Sequence, residues 1–452
     1  MHSPSPVRVV SRRAVKPPPR PRERIPLTTW DLSLLSADYI QKGLLFAPPP
    51  FSTARLVDHL QAALADALAA YHPVACRLAT DQHRDDAGRV VGCSVSVDCA
   101  GQGVEILEAV AEGVAIADVL PPDADVPRVV RSFFPLDDAV NYDGHECPLF
   151  VVQVTELADG VFVGFVYNHA LSDGTAFWDF ISAWAETARG APRWSPDGGA
   201  AAPVVLPYAD LSGLIARPTQ PPPPQRERML HFSAESLAAL KERARQELLA
   251  AGDAAGAAAV TRFQALSSLL WRCSVRARRT APDQEVVFRA SANNRARLRP
   301  PLPAEYFGNA INAVSTEAVR ASELLARGHG WAAAAVGRAV AAHGDAGIRA
   351  RAAAWAAEPG LSAFRLFDPN GMFVSSSPRF DMYGCDFGWG KALAARSGKG
   401  NKYDGKVSLF PGREGGGCID AEVVVAPEHM AALELDEEFW AAVSPPRKDT
   451  IS

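Results

Sequence analysis

The chain has 452 residues, of which 48% are hydrophobic and 21% are charged. These proportions are those of ordinary globular proteins and exclude a mostly disordered chain. With 46 basic and 51 acidic residues the formal net charge is −5, so no excess of positive charge indicates binding to nucleic acid or to an anionic membrane. The length is sufficient for one to three domains.

Neither the apolar runs nor the cysteines indicate a membrane or secreted protein. The longest apolar run, Val161–Tyr167, is far shorter than the ~20 residues of a spanning helix. The seven cysteines form no C-x-x-C pair, which argues against a disulfide framework or a zinc site. We therefore expect a cytoplasmic protein without a metal. The first 24 residues, with seven basic residues and one acidic residue, are compatible with a transit peptide, but a short strand at Val7–Ser11 is preferred.

The first half of the chain alternates helix-like and strand-like patterns. Leucines every four residues predict a helix over Arg55–Tyr71. Leu149–Thr155 and Val161–Tyr167 are β-like runs joined by a short turn, which predicts a hairpin. After the hairpin, an apolar stripe predicts a helix that ends at Gly190.

A change of composition then divides the chain. Residues 191–225 are rich in proline, which predicts an exposed crossover linker between an N-terminal domain at 1–190 and a C-terminal domain at 226–452. The alternation continues in the second half. Its predicted elements are helices at Ser233–Leu249, from Thr261 and within Glu323–Glu358, and a strand at Glu285–Ala290. Alternation in both halves predicts an α/β fold.

A histidine in the segment NHALSDG, residues 168–174, is the first candidate for chemistry. His169 follows a buried strand directly, at a point where a side chain can face a cleft. An imidazole with a pKa near ~6.5 is a natural general base at neutral pH. The alternative is a histidine hydrogen-bonded within the core. Asp173 can likewise be no more than the N-cap of the next helix.

A second segment, CDFGWGK at 385–391, has two glycines around Trp389, whose indole N–H is a donor. The ordered pair H-x-x-x-D-G and D-F-G-W-G resembles the plant BAHD acyl-CoA-dependent acyltransferases, in a little-characterised acetyltransferase-like subgroup. The resemblance covers nearly the whole chain. Further matching segments are Ile25–Phe46, Tyr71–Leu78, Phe263–Arg272, Asn293–Asn309 and Glu414–Val425. Departures are Cys76, Ser377 and Ala392, where the family commonly has Gly, Trp and Pro.

The resemblance implies two similar mixed-sheet domains, as in chloramphenicol acetyltransferase, with an active-site channel between them. It implies that His169 deprotonates an acceptor hydroxyl or, as the lesser alternative, an amine. The acceptor then attacks the thioester of acyl-CoA without an acyl-enzyme. The expected partners are acyl-CoA as co-substrate and a small-molecule acceptor. No metal, prosthetic group, nucleic acid or membrane span is expected, and the protein is expected to be a monomer.

The resemblance also implies roles around His169. Asp173 is expected to pair with an arginine, first Arg295 and otherwise Arg297, and thus to support the site. Asp386 and Gly174 are expected to support it as well. Trp389 is a candidate donor to the oxyanion.

Coenzyme A carries phosphates, so a basic or helix-end site is needed. Thr261 and Arg262 begin a helix whose free N–H groups suit phosphate, while Lys399 and Lys402 lie in a glycine-rich stretch. Arg379 is a candidate for binding a carboxylate of the acceptor.

Two other functions remain open at this point. One is a condensing or lyase-type enzyme on the same fold, and the other is a non-catalytic binding or regulatory protein. Carrier-protein condensation enzymes usually have two adjacent histidines, whereas Asn168 precedes His169 here. Cys385 could act as a covalent nucleophile, but a small buried apolar side chain is the preferred interpretation.

Overall fold

Each half of the chain builds a six-stranded mixed sheet in the computed structural model, which describes residues 6–122, 124–191, 202–217, 223–361, 368 and 370–444. The strands are β1 (Val7–Val15), β2 (Glu23–Pro26), β3 (Ile40–Phe46), β4 (Arg77–Arg84), β5 (Val90–Cys99), β6 (Val104–Ala111), β7 (Phe150–Glu156), β8 (Val161–Tyr167), β9 (Arg226–Phe232), β10 (Glu285–Val286), β11 (Phe288–Asn293), β12 (Ile311–Ser315), β13 (Val319–Arg320), β14 (Met372–Ser375), β15 (Ala394–Ser397), β16 (Lys406–Pro411) and β17 (Ile419–Val425). The helices are α1 (Thr29–Leu32), α2 (Thr53–Ala70), α3 (Ile116–Val119), α4 (Gly174–Ala188), α5 (Ala234–Ala250), α6 (Ala254–Ala259), α7 (Arg262–Ala277), α8 (Ala321–Ala326), α9 (Gly328–Ala342), α10 (Asp345–Ala357), α11 (Pro427–Glu434) and α12 (Glu437–Trp440).

The first sheet has the order β1-β6-β7-β8-β3-β15, in which only β6 and β7 run parallel. The second sheet has the order β12-β11-β14-β16-β17-β9, with β14 parallel to both of its neighbours. β15 comes from the second half of the chain but completes the first sheet, where Ser397 pairs with Lys42. The second half therefore contributes an edge strand to the first.

β8 is buried on both faces, which explains its unbroken apolar sequence. Val163 and Phe165 pack toward α2 and α4, in the main core of the first half. Phe162 and Val166 point the other way, into a smaller cluster with Phe133. Packing on both faces fixes the position of β8, and therefore the position from which the following turn begins.

The second sheet uses its two faces differently. Along β16, Val407 and Leu409 pack into the core formed with α5, α7 and α9. The alternate residues Lys406 and Ser408 therefore point to the opposite face, as does Phe410, which belongs to the core of the first half. The face that the second sheet turns toward the first half thus carries buried polar and charged side chains.

The helices and the hairpin predicted from the sequence are confirmed to within a few residues. The stretch 323–358 lies in three helices, α8 to α10, which are separated at Arg327 and near Gly344. The N-terminal strand is longer than predicted, because β1 pairs with β6 along its whole length and Arg12 forms an ion pair with Glu105 at 2.8 Å.

The linker prediction needs a correction. Part of 191–225 lies outside the described residues, but the described segment 202–217 is not simply exposed. Leu206 is fully buried, and its backbone exchanges hydrogen bonds of 2.7 and 2.9 Å with Cys93 of β5. Apolar side chains such as Leu206 and Leu211 bind this segment to the core of the first half. In the part of the chain that is described, no helix combines the length and the apolar character needed to cross a bilayer.

Candidate active site

His169 follows β8, and both halves of the chain hold its backbone. Its N–H donates to Oδ1 of Asn141 at 2.7 Å, and its carbonyl accepts a hydrogen bond from Nδ2 of Asn309 at 2.8 Å. Both asparagines are fully buried. Asn141 precedes the β7–β8 hairpin, whereas Asn309 precedes β12 in the second half. The peptides on either side of His169 are therefore fixed, while its side chain stays half-buried.

Residues of the N-terminal segment form hydrogen bonds with both asparagines. Nδ2 of Asn141 donates to the carbonyl of Leu34 at 2.8 Å, and Nδ2 of Asn309 also reaches Oδ1 of Asp31 at 2.8 Å. Burial raises the pKa of Asp31 to about 6, and hydrogen bonds from Thr28 and Asn309 oppose the rise. The turn that carries His169 thus depends on contacts from three separate regions of sequence.

Asp173 is the N-cap of α4, and its carboxylate is fully occupied. Oδ1 accepts hydrogen bonds from the N–H groups of Thr175 and Ala176 at 3.0 and 3.2 Å. Oδ2 accepts one from Arg295 at 2.7 Å and one from the N–H of Ala310 at 2.9 Å. None of these four donors is the imidazole of His169. Asp173 therefore holds the loop and α4 to the second half of the chain.

The structure brings Arg295 to Asp173 but not Arg297. Arg295 also donates to the carbonyl oxygens of Tyr306 and Gly308 at 3.2 and 3.0 Å. Arg297 donates instead to the carbonyl of Val340 at 2.9 Å. The ion pair of Asp173 and Arg295 is buried, with side-chain exposures of 0% and 8%.

Gly174 permits a close approach of the second half to α4. A Cβ at this position would lie 3.1 Å from Cζ of Phe380, so a larger residue would have to displace that ring. Arg379, the neighbour of Phe380, is exposed. The segment after β14 therefore lies against the start of α4, next to the turn of His169.

The imidazole of His169 favours its neutral form. Burial lowers its pKa, and the positive charge of Lys406 lowers it further. Polar groups of its own backbone, the charge of Asp173 and the side chain of Asn309 oppose this decrease without outweighing it. A neutral imidazole can accept a proton at neutral pH.

The structure does not bring Trp389 to His169. The Trp389 ring packs on Phe46, with centroids 4.9 Å apart, and Phe46 pairs with Val161 at the start of β8. His169 follows the other end of this strand, which is about 20 Å away at ~3.3 Å per residue. This placement gives no support to an oxyanion role for Trp389.

Asp386 shapes its own loop rather than the surroundings of His169. Its Oδ1 accepts hydrogen bonds from the N–H groups of Gly388 and Gly390 at 2.8 and 3.0 Å. Both glycines have positive φ angles, of +111° and +118°, which L side chains rarely adopt. The carbonyl of Asp386 accepts a hydrogen bond from Arg189, at the C-terminal end of α4. The DFGWG loop thus packs at the end of α4 remote from His169.

Lys402 is not available to a phosphate. It is buried and donates to Glu227 and Glu422 at 2.6 and 3.0 Å, so it neutralises carboxylates of β9 and β17. Lys399 is more exposed and forms an ion pair with Asp138 at 2.8 Å. The local sequence of the glycine-rich stretch does not reveal these acidic partners, because they come from distant segments.

Thr261 and Arg262 form the exposed N-terminus of α7. Thr261 and Gln264 make reciprocal capping hydrogen bonds of 3.3 and 2.7 Å. Arg262 lies beside Gly417, in the turn between β16 and β17. This helix end is open to an anion from solvent.

Cys385 is a structural residue. Its thiol donates to the carbonyl of Asp381 at 3.4 Å and lies 3.6 Å from the hydroxyl of Ser182. Burial raises its pKa to about 12, which is opposite to the shift that a nucleophilic thiol needs.

Sequence reasoning missed the asparagines, Asp31 and two lysines. Asn141 and Asn309 act through contacts that join distant segments, and no local pattern marks them. Lys42 could have been found, because a lysine in the otherwise largely apolar strand IQKGLLF is unusual. Lys406 begins a strand of the same kind.

Comparison with known proteins agrees with this architecture. A family model described as the Transferase family matches residues 5–440. The chain is 33% identical over 437 residues to an uncharacterized acetyltransferase from Arabidopsis thaliana, which covers 92% of this chain and 94% of that protein. It is also 33% identical over 466 residues to the BAHD acyltransferase DCR from the same plant, covering 96% and 92% of the two chains.

Among solved structures, F. graminearum TRI101 in complex with coenzyme A and deoxynivalenol matches with a TM-score of 0.74 at 16% identity. The match covers 93% of this chain and 99% of that one. The α/β fold with two mixed sheets is thereby confirmed. The sequence and fold together define an acyltransferase. The chain belongs to the BAHD acyltransferase family.

We expect Asp173→Asn to destabilise the fold strongly. Asparagine can still cap α4, but Arg295 loses its only acidic partner among the described residues. Removing one partner of a buried pair typically costs about 3–5 kcal/mol. The free energy of unfolding, measured by urea denaturation, should fall by about that amount. The control is Asp58→Asn, which removes an exposed ion pair with Arg13 and should cost at most about 1 kcal/mol. Equal small losses in both variants would contradict the role given to Asp173.

We expect Lys402→Met to destabilise the protein without a specific effect on acyl-CoA binding. It leaves the buried Glu227 and Glu422 without their shared cation, a loss of about 3–5 kcal/mol. Lys399→Met, at the exposed pair with Asp138, should cost about 1 kcal/mol or less. Urea denaturation tests both. A raised KM for acyl-CoA at unchanged stability would instead place Lys402 in the coenzyme A site.

Proposed function

We propose that the protein transfers the acyl group of an acyl-CoA to a hydroxyl group of a small-molecule acceptor, with His169 as the general base. One observation carries the proposal. His169 is a half-buried, neutral imidazole whose backbone is fixed from both halves of the chain, next to the start of α4. Precise positioning of a base is what an acyl transfer between two bound substrates requires.

The mechanism follows from the two ring nitrogens of His169. Nδ1 is buried within the turn, which leaves Nε2 as the nitrogen that can face a substrate. Nε2 takes the proton of the acceptor hydroxyl while the oxygen of that hydroxyl attacks the thioester carbonyl. The tetrahedral oxyanion collapses, the C–S bond breaks, and the coenzyme A thiolate receives the proton from Nε2. General-base assistance of this kind contributes roughly 10²–10⁴-fold.

Transfer in this scheme is direct, within a complex of both substrates. Cys385, the cysteine beside the DFGWG loop, is buried with a raised pKa and does not form an acyl-enzyme. Thr261 and Arg262 at the exposed start of α7 are the proposed contacts for the phosphates of coenzyme A. Arg379, exposed beside Phe380, is the proposed contact for an acidic group at the site entrance. The protein is proposed to act as a cytoplasmic monomer.

Replacing His169 tests the proposal directly. In His169→Ala we expect kcat/KM for release of free coenzyme A thiol to fall by roughly 10²–10⁴-fold, because the base is lost. The assay uses a panel of acyl-CoAs with small alcohols, and unfolding curves establish that the variant is folded. His83→Ala, a histidine on β4 that contacts Ser94, is the matched control and should retain the activity of the natural sequence. Equal thiol release by His169→Ala and the natural protein would overturn the proposal.

The pH dependence of kcat/KM is a second test. The free enzyme is active when His169 is deprotonated, and its lowered pKa moves protonation to a more acidic pH than for an ordinary histidine. With an uncharged acyl group and an uncharged acceptor, we therefore expect kcat/KM to stay level from about pH 8 down to about 6.5, the usual histidine pKa, and to fall only below it. An acid limb centred at or above pH 7 would contradict a neutral base with a lowered pKa.

A further inference from the structure

Among the residues that the structure describes, two lysine side chains between the sheets have only aromatic rings as close partners. Lys406, 8% exposed, has its ammonium 4.1 Å from the ring centroid of Phe373 and 5.5 Å from that of Tyr403. The ammonium of Lys42 lies 4.3 Å from the ring centroid of Phe410. Within the described residues, neither ammonium makes a hydrogen bond or an ion pair. Lys42 is half-buried, whereas Lys406 is buried. Cation–π contacts offer about 0.5–2 kcal/mol, less than the several kcal/mol that removing an ammonium from water costs, so they offset only part of the hydration that each ammonium loses.

The acidic groups of this region are already committed elsewhere. Glu422 accepts hydrogen bonds from Lys402 and Ser397. Glu227 pairs with Lys402 and Arg131. The charge of Glu422 acts on Lys42 and Lys406 only from a distance. The cluster therefore has more positive than negative charge, and the excess lies on Lys42 and Lys406.

Lys406 lies close to the turn of His169, and Lys42 lies near Lys406. Lys42 pairs with Phe165 on β8, the strand that leads into that turn. Lys406 lies on the face of β16 that is turned toward the first half of the chain. Its charge is near enough to lower the pKa of His169. The ammonium of Lys406 is thus near His169, and the ammonium of Lys42 is near that of Lys406.

The pKa values of both lysines are lowered, as expected for ammonium groups without a close counter-charge. Burial lowers the pKa of Lys406 to about 7, and the charge of Lys42 adds to this effect while Glu422 opposes it. Burial lowers the pKa of Lys42 to about 8, which Glu422 opposes and Lys402 reinforces. An anion bound between them would favour the charged form of both.

We propose that Lys42 and Lys406 bind a carboxylate of the substrate and select acidic substrates for the reaction at His169. The carboxylate is carried either by the acceptor or by the distal end of a dicarboxylic acyl group. The ring of Tyr403, which is half-buried, would contact the apolar part of the same molecule. The inference rests on the proposed function, since it assigns a substrate class to the same site.

Binding measured by isothermal titration calorimetry tests this without requiring turnover. Succinyl-CoA and butyryl-CoA share the same chain length and differ in a terminal carboxylate. In a second arm, 3-(4-hydroxyphenyl)propanoate and its methyl ester are titrated in the presence of coenzyme A. The variants are Lys42→Met and Lys406→Met. Lys241→Met, an exposed lysine on α5, is the matched control.

The natural protein should bind the anionic member of at least one pair about tenfold more tightly. Lys406→Met should abolish that preference and leave the neutral member unchanged, while Lys241→Met should keep it. The arm that responds identifies the source of the carboxylate. Lys406→Met is expected to unfold at the same or a higher temperature, because it removes an unpaired buried charge.

Two results would overturn the inference. One is an absence of preference for the anionic member in both arms. The other is an equal loss of succinyl-CoA and butyryl-CoA binding in Lys406→Met, since the lysine would then hold coenzyme A itself. Neither result affects the proposed function, which fails separately if thiol release does not depend on His169.

Discussion

The buried ion pair between Asp173 and Arg295 is the contact on which the geometry around His169 depends. Asp173 caps α4 with one oxygen and binds the second half of the chain with the other. Arg295 also donates a hydrogen bond to the carbonyl of Gly308, which precedes β12, and so connects α4 to that segment. A charge buried to this degree is stable only with its partner in place. The turn of His169 can therefore form only when the two halves have assembled, which links the site to the complete fold.

Two buried lysines of the second half differ in whether a carboxylate among the described residues pairs with them. Lys402 and Lys406 are four residues apart and both are buried, yet Lys402 is held by two carboxylates and Lys406 by aromatic rings. A paired cation stabilises the junction of the sheets. A buried cation without an ion pair, such as Lys406 within the described residues, raises the energy of the empty site and so favours the binding of an anion. It also helps to keep His169 neutral.

Two expectations taken from sequence motifs did not match the geometry, and for related reasons. Trp389 lies within the distinctive D-F-G-W-G motif, but its ring is a packing partner of Phe46 and Phe387 at the remote end of α4. Lys402 lies in a loop rich in glycine and lysine that looks suited to phosphate, but its partners Glu227 and Glu422 are distant in sequence. A motif can therefore mark a loop that is important for the fold rather than for binding or catalysis.

The sequence by itself determined the elements and the position of His169, the proposed base. Periodicity located α2, α4, α5 and the β7–β8 hairpin, because the apolar spacing of a helix or strand is a local property. It also placed His169 directly after a buried strand. The tertiary structure alone decided which groups meet. Arg295 rather than Arg297 binds Asp173, Asn141 and Asn309 fix the peptides of His169, and Lys42 and Lys406 form no ion pair within the described residues. These pairings join residues far apart in the chain, and their energies depend on burial, which no local pattern records.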